Sequence, residues 1–122
     1  MKFKTLSIAL ALIATPALAH GDDKPRHGGQ VVEVGETVFE LVRAPAGVSL
    51  YVMEDGDEVP AAGMMGKLFV TTGAQRSEIV LTPAAKNQFV AKGAKIAVGS
   101  KVGVLLIDRK TQARQTATFA VK

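Results

Sequence analysis

The residues best suited to chemistry in this chain are its two histidines, His20 and His27, which share one short polar segment. If the chain is cleaved after Ala19, His20 becomes the first residue and offers two nitrogens, a free α-amine and an imidazole. The pKa of an α-amine is about 7.7–8.0, so a metal can displace its proton at neutral pH. With His27 as a third nitrogen ligand, this set predicts a Cu(II) site. The competing interpretation is a disordered leader with incidental histidines.

Two adjacent methionines, Met64 and Met65, could form a second and softer site. Thioether sulfur favours Cu(I) or Ag(I) over Zn(II). The flanking glycines, Gly63 and Gly66, predict a bend here rather than a core strand, and Met53 could lie close by. Methionine is also a common filler of gaps in protein cores, and the spacing leaves open whether these sulfurs meet the histidines.

The N-terminal residues have the pattern of a secretory signal peptide. Lys2 and Lys4 precede an apolar run from Leu6 to Ala14, and Ala17-Leu18-Ala19 matches a cleavage site. We therefore predict a signal peptide at 1–19, a flexible histidine-containing segment at 20–29 and one domain at 30–122. No later stretch has the roughly 17–25 apolar residues of a membrane-spanning helix. The mature chain is expected to be Sec-exported and periplasmic, without a transmembrane segment.

Composition and motifs argue against several classes of function. The chain has a net charge of +4 with its basic residues scattered, only one Tyr and no Trp, which is unlike a nucleic-acid-binding face. It has no Cys, and none of the serine-elbow, P-loop or His-Glu-x-x-His zinc motifs occurs. We expect a protein that is not an enzyme and does not bind nucleic acid.

The chain after Gly28 reads as β-structure throughout. Runs rich in Val, Ile, Leu and Phe recur every eight to twelve residues between turn signals, as in sandwiches and barrels. These runs predict an all-β, immunoglobulin-like β-sandwich of about seven or eight strands. The predicted strands are Gln30–Val34, Thr37–Arg43, Val48–Met53, Lys67–Thr71, Ser77–Leu81, Gln88–Ala91, Lys101–Ile107 and Gln115–Val121.

One acidic residue, Glu40, lies among apolar neighbours inside a predicted strand. Side chains in a strand alternate between its two faces, and Glu40 alternates against Phe39 and Leu41. We therefore expect Glu40 to lie on the solvent face.

Several short motifs together resemble those of a known group of proteins: His27-Gly28-Gly29, Phe39-Glu40-Leu41-Val42, Leu50-Tyr51-Val52, Asp55-Gly56 and Val59-Pro60. The pattern is similar to small exported proteins of heavy-metal resistance loci. It also resembles the N-terminal β-domain of periplasmic adaptor subunits of resistance-nodulation-division metal efflux pumps. The resemblance implies a β-sandwich, a periplasmic location and an association with copper, silver or divalent metal export. It carries over His27 as a metal residue, and Glu40 and Tyr51 as structural positions.

The favoured expectation is a periplasmic protein that binds copper, as Cu(II) or Cu(I), through His20, His27, Met64 and Met65. It would buffer copper or deliver it to a metal-efflux pump or periplasmic adaptor. One alternative is a metal-independent interaction module that docks onto an envelope efflux complex through a sheet edge or the Tyr51 face. A copper oxidoreductase is a weaker alternative, since a single Tyr and no Trp offer little aromatic surface for a substrate.

Overall fold

The computed structural model describes residues 24–122, so the predicted signal peptide and His20 lie outside the described residues. Nine β-strands and no helix make up the described part of the chain. No helix there is long and apolar enough to cross a membrane. The strands are β1 (Gln30–Val34), β2 (Thr37–Ala44), β3 (Gly47–Glu54), β4 (Asp57–Glu58), β5 (Met64–Thr72), β6 (Gln75–Pro83), β7 (Gln88–Lys92), β8 (Lys101–Asp108) and β9 (Arg114–Ala120).

Alternating side chains place the core on one side of each strand. In β3, Val48, Leu50 and Val52 are buried, while Tyr51 and Met53 on the opposite face are half-buried. The alternation follows from the pleat of an extended strand, in which successive Cβ atoms point to opposite faces. The largest fully buried side chains come from strands across the whole fold: Phe39, Phe89, Phe119, Leu50, Leu68 and Leu106.

The strands pair antiparallel in one continuous path, β1-β2-β3-β7-β6-β5-β8-β9, with β4 added beside β3. β6 joins the two halves of this path. Residues 75–81 of β6 pair with β5, whereas Thr82 and Pro83 pair with β7. The terminal strands β1 and β9 approach each other, and the Gln30 side chain bonds the backbone at Ala120 and Lys122. The sheet is therefore curled into a nearly closed barrel.

The prediction of an all-β fold is confirmed, and most predicted strand bounds agree with the observed strands to within a residue or two. The immunoglobulin-like sandwich is not confirmed, because the strands form one nearly closed path. The predicted bend at Met64 and Met65 is wrong. Both residues belong to β5, where they pair with Asp108 and Ile107 of β8.

Candidate functional site

Glu40 lies on the outward face of β2, as its alternation predicts, yet it is only 5% exposed. The expectation of a solvent-exposed carboxylate is therefore wrong. The segment before β1 folds back over the sheet and covers the carboxylate, so that backbone amides take the place of water. Burial of an ionised carboxylate is tolerated only when hydrogen bonds replace its hydration.

Four hydrogen bonds converge on the Glu40 carboxylate. The backbone N–H of Arg26 donates to Oε1 at 3.0 Å, and those of His27 and Gly29 donate to Oε2 at 2.8 and 2.9 Å. His27 Nδ1 lies 3.0 Å from Oε1. One side chain of the sheet thus binds three residues of the preceding segment and fixes the position of the histidine.

The two glycines after His27 make this arrangement sterically feasible. Gly28 has φ of 74°, a left-handed conformation that side chains rarely adopt. A Cβ on Gly29 would overlap the carbonyl oxygen of Leu41 and the side chain of Val42. The His27-Gly28-Gly29 motif therefore bends the chain and lets its backbone approach β2 closely enough to reach Glu40.

The imidazole of His27 stacks on the ring of Tyr51 in β3, with the centroids 3.5 Å apart and the planes 5° from parallel. Glu40 and Tyr51 are direct cross-strand partners. Tyr51 packs against the face of the imidazole, and Glu40 is hydrogen-bonded to its edge. A carboxylate can only accept hydrogen bonds, so Nδ1 carries the proton. In the neutral ring, the Nε2 lone pair then remains available, and no hydrogen bond within residues 24–122 uses this atom. The His27 side chain is 40% exposed.

The hydrogen bonds also decide the protonation of Glu40. Burial is the largest single influence on its pKa and raises it. The hydrogen bond from His27 and those from the backbone of Gly29, His27 and Arg26 together outweigh burial, so the pKa of Glu40 lies below its ordinary value. Glu40 is therefore ionised at neutral pH and acts as a fixed acceptor for the imidazole.

A groove of about 180 Å³ opens beside the imidazole. Its walls include Tyr51 and Met53 from β3, while Lys24 and Asp55 contribute charges of opposite sign. Asn87 also lines the groove, and its buried side chain donates to the Val52 carbonyl at 3.0 Å and lies 3.6 Å from Met53 Sδ. The groove thus brings together an imidazole, a phenol ring and a thioether.

The structure does not bring Met64 and Met65 to this groove. β5 is three strands from β3 along the sheet path. Met64 is 8% exposed and packs in the hydrophobic core, whereas Met65 is 45% exposed on the outer face. Within the described part of the chain, no group of three or more His, Cys, Asp or Glu side chains is arranged to hold a metal ion. Of the predicted site residues that the structure describes, His27 lies in the groove and Met64 and Met65 do not.

Sequence reasoning placed Met53 near Met64 and Met65 rather than in the groove of His27, and it missed Asn87. It gave Tyr51 a structural role or a place on a docking face, and not a contact with His27. A signal for two of them was present, because Tyr51 and Met53 alternate against Val52 and so share the outward face of β3. Their position at the groove depends on the register of β2 against β3, which pairs Glu40 with Tyr51 and Val38 with Met53.

Comparison of the chain with protein-family models, curated proteins and solved structures found no match. The resemblance to metal-resistance proteins and efflux adaptor domains stays a prediction from the residues that carry it. Functional inference accordingly depends on the chemistry of the His27 groove.

Proposed function

We propose that this chain is an exported, non-enzymatic copper-binding protein that buffers copper or delivers it to a metal-efflux pump or its periplasmic adaptor. The observation that supports the proposal best is the His27–Glu40 hydrogen bond. Histidines that ligate metals almost always donate their second ring N–H to a carboxylate, a carbonyl or water. Such a partner fixes the tautomer, orients the ring and raises the basicity of the ligating nitrogen.

His27 meets these requirements before any metal arrives. Its Nδ1–H donates to an ionised carboxylate, and its ring stacks on Tyr51. Within the part of the chain that the structure describes, the lone pair of Nε2 remains free to bind a metal. A pre-oriented ligand loses little side-chain freedom when it binds an ion. In this proposal His27 is the anchored ligand, and the α-amine and imidazole of His20 complete a nitrogen set that suits Cu(II).

The first prediction concerns Cu(II) binding by the exported, processed protein. We expect one Cu(II) with nitrogen ligation in electron paramagnetic resonance. We expect His27→Ala to weaken binding by at least about tenfold, since even outer-shell changes cost 10–100-fold. His20→Ala and a chain with extra residues before His20 should also bind more weakly. Mass spectrometry of the exported protein with and without copper reports the cleavage site and the stoichiometry together.

Equal Cu(II) affinity in wild type and His27→Ala would contradict the proposal. The matched control replaces an exposed residue of similar type away from the groove: Gln112, in the loop between β8 and β9, can be changed to Ala. This variant should bind as the wild type does.

One observation favours the second candidate, a metal-independent interaction module. Two apolar side chains are exposed on the outer face of β5 and β6, Val80 at 66% and Met65 at 45%. Exposed apolar surface can mark a protein contact. Co-purification of the processed protein with an envelope complex, with no copper bound under any condition, would favour this function instead.

A further inference from the structure

The thioether of Met53 is the feature of the groove that Cu(II) binding leaves unexplained. Met53 follows Tyr51 by two residues on the outward face of β3, so the sulfur lies one step along the strand from the ring that supports His27. His27 and Met53 line the same groove. An imidazole and a thioether side chain therefore border one solvent-accessible space.

The Met53 side chain is held in place rather than loosely packed. Asn87 Nδ2 lies 3.6 Å from Sδ and also donates to the Val52 carbonyl, and Asn87 is 6% exposed. A thioether sulfur is a weak acceptor, so this contact orients the sulfur without removing its capacity to bind a soft ion. Met53 itself is half-buried, which leaves it reachable from the groove.

We propose that His27 Nε2 and Met53 Sδ form a mixed nitrogen–sulfur site for a soft monovalent ion, Cu(I) or Ag(I). Thioether and imidazole suit Cu(I), and thioethers select it over harder ions. The inference rests on the proposed function in its use of His27, and it assigns the soft ligand to Met53 instead of the Met64–Met65 pair. The groove then holds copper in either oxidation state, with Met53 engaged only in the reduced state.

The test is a titration of the processed protein with Ag(I), a monovalent ion that does not change oxidation state during the measurement. Met53→Leu removes the sulfur and keeps the side-chain volume, and Met65→Leu removes an exposed sulfur elsewhere. We expect Met53→Leu to weaken Ag(I) binding by at least about tenfold, whereas Met65→Leu should bind Ag(I) as the wild type does. In wild-type protein, Ag(I) should shift the methyl resonance of Met53 and the ring resonances of His27 together.

The outcomes separate this inference from the proposed function. The nitrogen–sulfur site is overturned if Met53→Leu keeps its Ag(I) affinity or if Ag(I) leaves the Met53 methyl resonance unmoved. The copper function still stands in that case if His27→Ala loses Cu(II) affinity. Loss of Ag(I) affinity in a Met64→Leu/Met65→Leu double variant alone also overturns the inference and favours the pair predicted from the sequence. If His27→Ala affects neither ion, both proposals fail. The methyl shift needs no variant, so a folding defect cannot mimic it.

Discussion

At the scale of single residues, Glu40 is the group on which the site depends. Its carboxylate binds three backbone amides and one imidazole while it is almost completely buried. Hydrogen bonds to a charged group are each worth about 1.5–3 kcal/mol. Removal of the charge therefore weakens the attachment of the whole His27 segment. It also removes the acceptor that fixes the tautomer of the His27 ring.

The second prediction is a dependence of stability on pH that comes from Glu40. The folded pKa lies below the ordinary value of 4.5, so folding is favoured by the ionised form. The contribution is complete above about pH 4.5 and is lost as the pH falls from there through the lower folded pKa. Glu40→Gln should lower the free energy of unfolding at pH 7 by about 2 kcal/mol and flatten this acid slope, as measured by urea denaturation between pH 3 and 7.

The control for this measurement is Glu78→Gln. Glu78 is exposed, and its carboxylate is 3.8 Å from Lys67 Nζ. Exposed pairs of this kind contribute about 0–1 kcal/mol. An acid slope that Glu78→Gln flattens as strongly as Glu40→Gln would argue that Glu40 is not its source.

The sequence predicts that His27 is a candidate ligand and that Glu40 lies on the outward face of its strand. It does not predict that Glu40 is buried. Period-two alternation shows on which face of the sheet a side chain lies, and the outward face is normally exposed to solvent. Here the covering segment comes from residues 26–29, before the strand begins. Alternation within one strand carries no information about a segment elsewhere in the chain that folds over it.

At the scale of elements, the turn formed by His27, Gly28 and Gly29 decides where the histidine lies. Gly29 has no room for a side chain against the β2 backbone, and its N–H is one of the donors to Glu40. The segment can bind to the sheet only while this close approach is kept. The spacing of the histidine and glycines is therefore a steric requirement of the site.

The third prediction uses two glycines that differ in their surroundings. Gly29→Ala should lift the segment from β2, abolish hydrogen-exchange protection of the His27 and Gly29 amides, and destabilise by about 1–3 kcal/mol. A Cβ on Gly103 in β8 would meet Phe69 at 3.8 Å, which is ordinary contact. Gly103→Ala should leave the protection of both amides unchanged. If Gly29→Ala keeps their protection, the steric account of the motif is wrong.

Most strands could be predicted because their apolar residues alternate. The start of β5 could not, because glycines flank its first two residues. Gly63, with φ of 84°, is part of the turn before the strand, whereas Gly66 is inside β5. A Cβ on Gly66 would crowd Leu81 and Leu106, so this glycine serves the packing of the core. Glycine in a sequence signals both a turn and a close approach, and only the tertiary neighbours distinguish them.

At the scale of the whole molecule, the barrel is closed by side chains rather than by a backbone ladder between β1 and β9. Gln30 Nε2 donates to the Ala120 carbonyl at 2.6 Å, and Gln30 Oε1 accepts from the Lys122 amide at 3.2 Å. Arg43 adds hydrogen bonds to the carbonyls of Ile96 and Lys122. This seam lies next to the segment that carries His27, since β1 begins immediately after Gly29.

The fourth prediction is that Gln30→Ala opens the seam. We expect a loss of about 1 kcal/mol in the free energy of unfolding and faster hydrogen exchange in β1 and at Lys122. Gln88→Ala is the matched control, because Gln88 also donates a side-chain hydrogen bond, to Ser49 at 3.1 Å, but within the sheet. Exchange that quickens equally at the seam in both variants would show that Gln30 does not close the barrel.

The closure could not be predicted from the sequence. Gln30 and Ala120 lie at opposite ends of the described chain, and a lone glutamine at the start of a strand carries no pattern. The strand order also depends on the switch of β6 from β5 to β7 at Thr82 and Pro83. Sandwiches and barrels share the same local spacing of strands, so the sequence restricts the class without choosing between them.

The stacking of His27 on Tyr51 gives the protein a built-in optical reporter. Tyr51 is the only tyrosine and the chain has no tryptophan, so all emission of the tyrosine type comes from this one phenol. A paramagnetic Cu(II) on the imidazole, whose centroid is 3.5 Å from that ring, should extinguish the emission with a break at one equivalent. The fluorescence of the purified, unlabelled molecule would then report the occupancy of its site directly.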